Sequence, residues 1–106
     1  MRVLLDECLP RKLWRDLVGH DVRTVPQQGW AGKRNGELLA LMNQAGFEVL
    51  ITVDQNLVHQ QNLKAVGVAL IVMIAARNKL ALLRPLVPAV LTALQTIQPG
   101  DAVEVR

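Results

Sequence analysis

The chain of 106 residues has a mass of 11.7 kDa, 51% hydrophobic and 20% charged residues, a net charge of +3 and a pI near 9.6. This length supports one hydrophobic core, so residues 1–106 read as a single domain, and the apolar content lies far from the signature of disorder. A single cysteine excludes an internal disulfide and a thiolate metal site, and so small a basic excess does not by itself point to nucleic acid.

The longest apolar run, Val68 to Ala76, has nine residues, short of the roughly 20 that a membrane-spanning helix needs. Asp6, Glu7 and Pro10 interrupt the N-terminus before a secretory signal is built. The expectation is a cytoplasmic protein with no membrane partner.

In chain order, Arg2 to Leu5 is a short apolar strand ending at Asp6, and Pro10 opens a helix with Leu13, Trp14 and Leu17 at helical spacing. Gly19 stops that helix, Asp21 to Val25 reads as a second strand closed by Pro26, and Pro26 to Arg34 is a loop. Asn35 is placed to cap a helix that carries Leu38, Leu39, Leu41 and Met42 and stops at Gly46. Phe47 to Val53 is apolar on both faces, as a central parallel strand should be. Asp54 ends it and is placed to cap a helix over Gln55 to Val66, which Gly67 closes. Val68 to Ile74 is another fully apolar strand. After the loop Ala75 to Asn78, apolar Leu80, Leu83, Val87, Leu91 and Leu94 recur at helical spacing, with Pro85 and Pro88 dividing the region into two helices. Ala102 to Val105 adds an edge strand. Strands alternating with helices predict an α/β domain, a three-layer α/β/α sandwich around a mainly parallel sheet of four or five strands.

In such sheets, ligands bind beyond the carboxyl ends of the strands, where the strand order reverses. If the first and third strands are neighbours, Asp6 and Asp54 converge there, and paired carboxylates repel unless a cation or a shared proton joins them. Oxygen donors without thiols and with few histidines favour a hard ion, Mg²⁺ or Mn²⁺, completed by waters and phosphate oxygens. Glu37 offers a third acid, although the first turn of a helix favours glutamate in any case. Lys33, Arg34, Arg77, Asn78 and Lys79 in the flanking loops would hold phosphates, and Trp30 would stack on a base. Structural alternatives stand beside each role: Asp54 and Asn35 as caps, Glu7 as a solvated neighbour of Asp6, Trp30 as a loop cover. His20 and His59 lack partners at ligand or triad spacing. No GxSxG, HExxH, P-loop or GxGxxG motif is present.

Leu5-Asp6-Glu7-Cys8-Leu9-Pro10, Gly19-His20-Asp21-Val22, Gly29 with Gly32, and Thr52-Val53-Asp54 together resemble the PIN-like family of small bacterial proteins. Over residues 2 to 75 the chain is similar to the PIN-domain ribonucleases that act as toxins of toxin–antitoxin modules. The resemblance implies a PIN-type sandwich, endoribonuclease activity on RNA dependent on Mg²⁺ or Mn²⁺, and an antitoxin protein as partner. Asp6 matches the family's first metal acid and Asp54 the acid of its Thr-x-Asp motif, with Thr52 in support. The acid at the start of the middle helix falls on Asn35, with Glu37 two residues later, and Asn56 stands where a fourth acid is often found. Cys8 replaces a more usual Asn. Each lost carboxylate removes a charge that holds a cation, so the resemblance carries the fold further than the activity.

Two other function classes stay open: a non-catalytic PIN-like domain binding RNA or protein, motivated by Asn35 and Asn56, and a phosphoacceptor receiver-like domain built on Asp6, Glu7 and Asp54. Leu82, Leu86 and Val90 fall away from the main apolar stripe of the C-terminal region, which predicts an interface for a homodimer or an antitoxin.

Overall fold

In the computed structural model, which describes residues 1–106, five strands form one fully parallel sheet in the order β2-β1-β3-β4-β5. They are β1 (Arg2–Leu5), β2 (Asp21–Thr24), β3 (Val49–Thr52), β4 (Ala69–Met73) and β5 (Ala102–Val105). All residues of β3 and β4 are buried, because both faces of these inner strands are covered by helices.

Side chains alternate along each strand and so feed two cores. On one face Val3, Leu5, Val49, Ile51 and Ile71 pack with Leu13 and Leu17 of the segment after β1 and with α4 (Leu80–Leu83) and α5 (Val87–Thr96). On the other, Leu4, Leu50, Leu70 and Val72 pack with Leu38, Leu39 and Met42 of α1 (Asn35–Gln44), with Leu57 of α2 (Leu57–Gln60) and with Leu63 of α3 (Leu63–Val66). This is the α/β/α sandwich that the alternation of elements predicts. Each fully buried Leu, Ile or Val contributes about 1.5–3 kcal/mol relative to an exposed one. No helix is long and apolar enough to cross a membrane.

Four local expectations are corrected. The helix expected after Pro10 is a 3₁₀ helix, Arg11–Asp16, in which Leu13 is buried while Trp14 remains 47% exposed. Asn35 does not cap α1. It is the first helical residue, and Arg34 occupies the cap position without a side-chain cap bond. The single helix expected over Gln55 to Val66 is two short ones, because Gln61 is extended and Asn62 turns its side chain onto the backbone N–H of Ala65, restarting the helix as a cap. In the C-terminal region, Pro85 and Pro88 do divide the helices, but Val90 points into the core at 0% exposure together with Leu83, Val87 and Leu94. Of the face expected to be free, Leu82 is exposed and Leu86 half-buried.

Candidate functional site

The strand order reverses between β1 and β3: from β1 the chain moves outward to β2 and then returns to the other side of β1. Ligands of doubly wound sheets sit at such a point, beyond the carboxyl ends of the strands. The parallel register pairs Leu5 with Ile51, which sets Asp6 level with Thr52, and the backbone N–H of Asp6 donates to the Ile51 carbonyl at 2.9 Å.

Thr52 connects the two acids. Its fully buried hydroxyl donates to Asp6 Oδ2 at 2.6 Å and accepts from the Asp54 backbone N–H at 3.1 Å. The other Asp6 oxygen accepts from the Glu7 N–H at 2.9 Å, while Asp54 Oδ1 accepts from the Asn56 N–H at 2.9 Å. Asp54 therefore closes a short turn rather than capping a helix directly, and its Oδ2 makes no hydrogen bond. Asn56 occupies the cap position of α2 without using its side chain there. Both aspartates are half-buried.

Glu37 lies exposed in the first turn of α1 and makes no hydrogen bond or ion pair. It helps line an open, wholly polar cleft of about 670 Å³ with Lys33, Arg34, Asn35, Gln60 and Gln61. The Asn35 amide donates to Gln60 Oε1 across this cleft at 3.4 Å. No three Asp, Glu, His or Cys side chains are grouped as a metal centre. The hard oxygen donors of Asp6 and Asp54 fit a Mg²⁺- or Mn²⁺-type ion of the kind bound through one or two carboxylates and completed by phosphates and water.

Arg77 and Lys79 are exposed on the loop after β4, free of ion pairs. Asn78, expected to face substrate, instead donates its amide to the Cys8 carbonyl and ties that loop to the one after β1. Trp30 is half-buried against the core, edge-on to Phe47 with centroids 5.9 Å apart, so packing accounts for it.

Two neighbours of Asp6 do more than their sequence positions suggest. Glu7 accepts from the Gly32 N–H through both carboxylate oxygens, at 3.1 and 3.3 Å, so it is not merely solvated. Cys8 places its Sγ 3.8 Å from Thr52 Oγ1, and desolvation pushes its thiol pKa up, with the Asp6 charge adding to the rise and hydrogen bonding to Val53 and Thr52 opposing it. Adjacency to Asp6 was the one sequence signal for both. His20, on the turn before β2, buries its Nδ1 without a hydrogen-bond partner.

No family model, curated protein or solved structure matches the chain.

Proposed function

We propose that the protein is a metal-dependent ribonuclease of the PIN-like type, cleaving phosphodiester bonds of RNA at the β1/β3 edge. The observation that carries this reading is the Thr52 hydroxyl, which links the Asp6 carboxylate to the Asp54 backbone at the sheet's switch point. The Thr52 hydroxyl orients the Asp6 carboxylate and the Asn56 N–H orients that of Asp54, an arrangement of two acids at one edge that supports a cation site. Asp6 and Asp54 would hold a Mg²⁺ or Mn²⁺ ion, which when bound supplies Lewis-acid activation of the phosphodiester and of a water. Lys33, Arg34, Arg77 and Lys79 bind backbone phosphates, and Glu37, Asn35 and Asn56 line the approach. A toxin role with an antitoxin partner, a cytoplasmic location and a homodimer belong to the same proposal.

A second reading, a non-catalytic RNA-binding domain, is favoured by the Asn35 amide being committed to Gln60. Incubating the purified protein with RNA and Mn²⁺ separates the two. The ribonuclease reading expects cleavage by the wild type that Asp6→Asn and Asp54→Asn each reduce by about 10- to 100-fold, in line with the loss of a metal ligand's contribution. Cleavage unchanged in both variants, or absent from the wild type at saturating Mn²⁺, refutes it.

A further inference from the structure

Three consecutive residues beyond β1 each reach a different neighbour along the same sheet edge. Asp6 accepts from Thr52 at the end of β3, Glu7 from the Gly32 N–H after β2, and the Cys8 carbonyl from Asn78 after β4. The middle contact joins two exposed residues 25 positions apart in sequence.

Gly32 has a φ of +80°, a left-handed conformation that other residues adopt with strain. Lys33 and Arg34 follow it directly, exposed and in no ion pair. One end of this turn is anchored where Trp30 packs on Phe47 and its carbonyl accepts from the Lys33 N–H at 3.2 Å, and the other runs into α1. Between these anchors Glu7 is the side chain of another element that holds the turn.

We propose that Glu7 is a positioning residue: its carboxylate latches the turn at Gly32 and thereby sets Lys33 and Arg34 on the same carboxyl edge as Asp6, in place for the phosphates of a substrate strand. The inference rests on the ribonuclease reading for its substrate, and on the hydrogen bond alone for the latch. Two long cationic side chains are costly to order one at a time, and a turn fixed in advance removes part of that cost from substrate binding.

The test compares Glu7→Ala with Glu7→Gln, which keeps an acceptor oxygen on a side chain of the same length. The latch is read without RNA, by hydrogen exchange at the Gly32 amide and by trypsin cleavage after Lys33 and Arg34. Both are expected to accelerate about tenfold in Glu7→Ala, the factor corresponding to one hydrogen bond at an exposed site, and to stay near wild type in Glu7→Gln, which keeps the acceptor. In Mn²⁺-supported cleavage, Glu7→Ala should raise KM about tenfold with kcat nearly unchanged, and Glu7→Gln should rescue it. Unchanged exchange and proteolysis in Glu7→Ala overturn the latch, whatever the activity. An equal fall of kcat in both variants overturns the positioning role and makes Glu7 a group that touches the reacting atoms. If the wild type cleaves no RNA while Gly32 exchange still rises in Glu7→Ala alone, the latch stands and only the ribonuclease reading falls.

Discussion

Replacing Thr52 with valine removes one hydroxyl from a side chain that is 0% exposed while nearly preserving its shape. The change strips Asp6 Oδ2 of a donor at 2.6 Å and the Asp54 N–H of its acceptor at 3.1 Å. A hydrogen bond to a charged group contributes about 1.5–3 kcal/mol and a neutral one about 1 kcal/mol. Asp6 is half-buried, so water replaces part of what its carboxylate loses, and the extra methyl buries about 0.8 kcal/mol of apolar surface in compensation. The net expectation is a destabilisation of about 2 kcal/mol in urea unfolding, with an unchanged m-value because the same surface is exposed on unfolding. Thr52→Ser keeps the hydroxyl and should lose only about 1 kcal/mol, through the missing methyl. A double-mutant cycle with Asp6→Ala isolates the pair and should return a coupling of about 1.5 kcal/mol. A coupling below about 0.3 kcal/mol, the usual scatter between independent sites, would refute the claim that Thr52 organises the acids.

Val90→Ala should destabilise the chain by about 1–2 kcal/mol, because Val90 is at 0% exposure, whereas Leu82→Lys on the exposed face should leave thermal stability within about 0.5 kcal/mol. If the exposed face forms a homodimer, Leu82→Lys is also the substitution that light scattering should register as monomer. The Cys8 thiol, exposed but with its pKa held above the ordinary value, should be alkylated by iodoacetamide more slowly at pH 8 than a cysteine in an unfolded peptide, and equal rates would contradict the raised pKa. Hydrogen bonding and charge from Arg23, with Arg2 adding to them, hold the Asp21 carboxyl below its usual range. A depressed folded-state pKa contributes stability above the unfolded value and loses it as pH falls through the folded value, so Asp21→Asn should destabilise slightly at neutral pH and match the wild type in acid. Single-stranded RNA affinity should fall with salt at a log–log slope of about −3 if Lys33, Arg34, Arg77 and Lys79 each neutralise a phosphate, and Lys33→Ala should flatten the slope by about 0.7.

Apolar runs made the sheet legible. Strands β3 and β4 are buried on both faces, so their unbroken Val, Leu and Ile stretches mark central parallel strands, and the apolar run of β1 likewise places Asp6 at its end as that of β3 places Asp54. Periodicity failed where a short polar side chain competes with the helix. Gln60, Gln61 and Asn62 interrupt no glycine-marked boundary, yet Asn62 captures the Ala65 N–H and divides the expected helix. Val90 belongs to the core because within α5 it lies three residues after Val87 and four before Leu94, on the face that those two bury, so a stripe that passes it by misreads the period. Among site residues, those facing each other across neighbouring strands followed from strand order. The tethers Glu7 to Gly32 and Asn78 to Cys8 did not, because they depend on loop conformations that no hydrophobic pattern encodes.

The ion pairs of the chain sharpen what a net charge of +3 conceals. Arg2 and Arg23 pair with Asp21, Arg84 with Asp16 and Arg106 with Glu104, none of them on the loops at the carboxyl edge around Asp6 and Asp54. At that edge Asp6 and Asp54 come from the inner strands β1 and β3, and Lys33, Arg34, Arg77 and Lys79 come from the loops after β2 and β4, which flank them on either side. Opposite charges on adjacent loops thus stand without pairing. Exposed pairs contribute only about 0–1 kcal/mol, so folding loses little by leaving them apart. On the ribonuclease reading, this separation would give a negative centre between two positive flanks, which would draw a cation to the middle and a polyanionic strand along the edge. Such a field suits a bound phosphodiester whose backbone lies across the strand ends with one linkage over the acids, and it gives the Glu7 latch its consequence: releasing the turn at Gly32 would let one positive flank drift from the centre it frames.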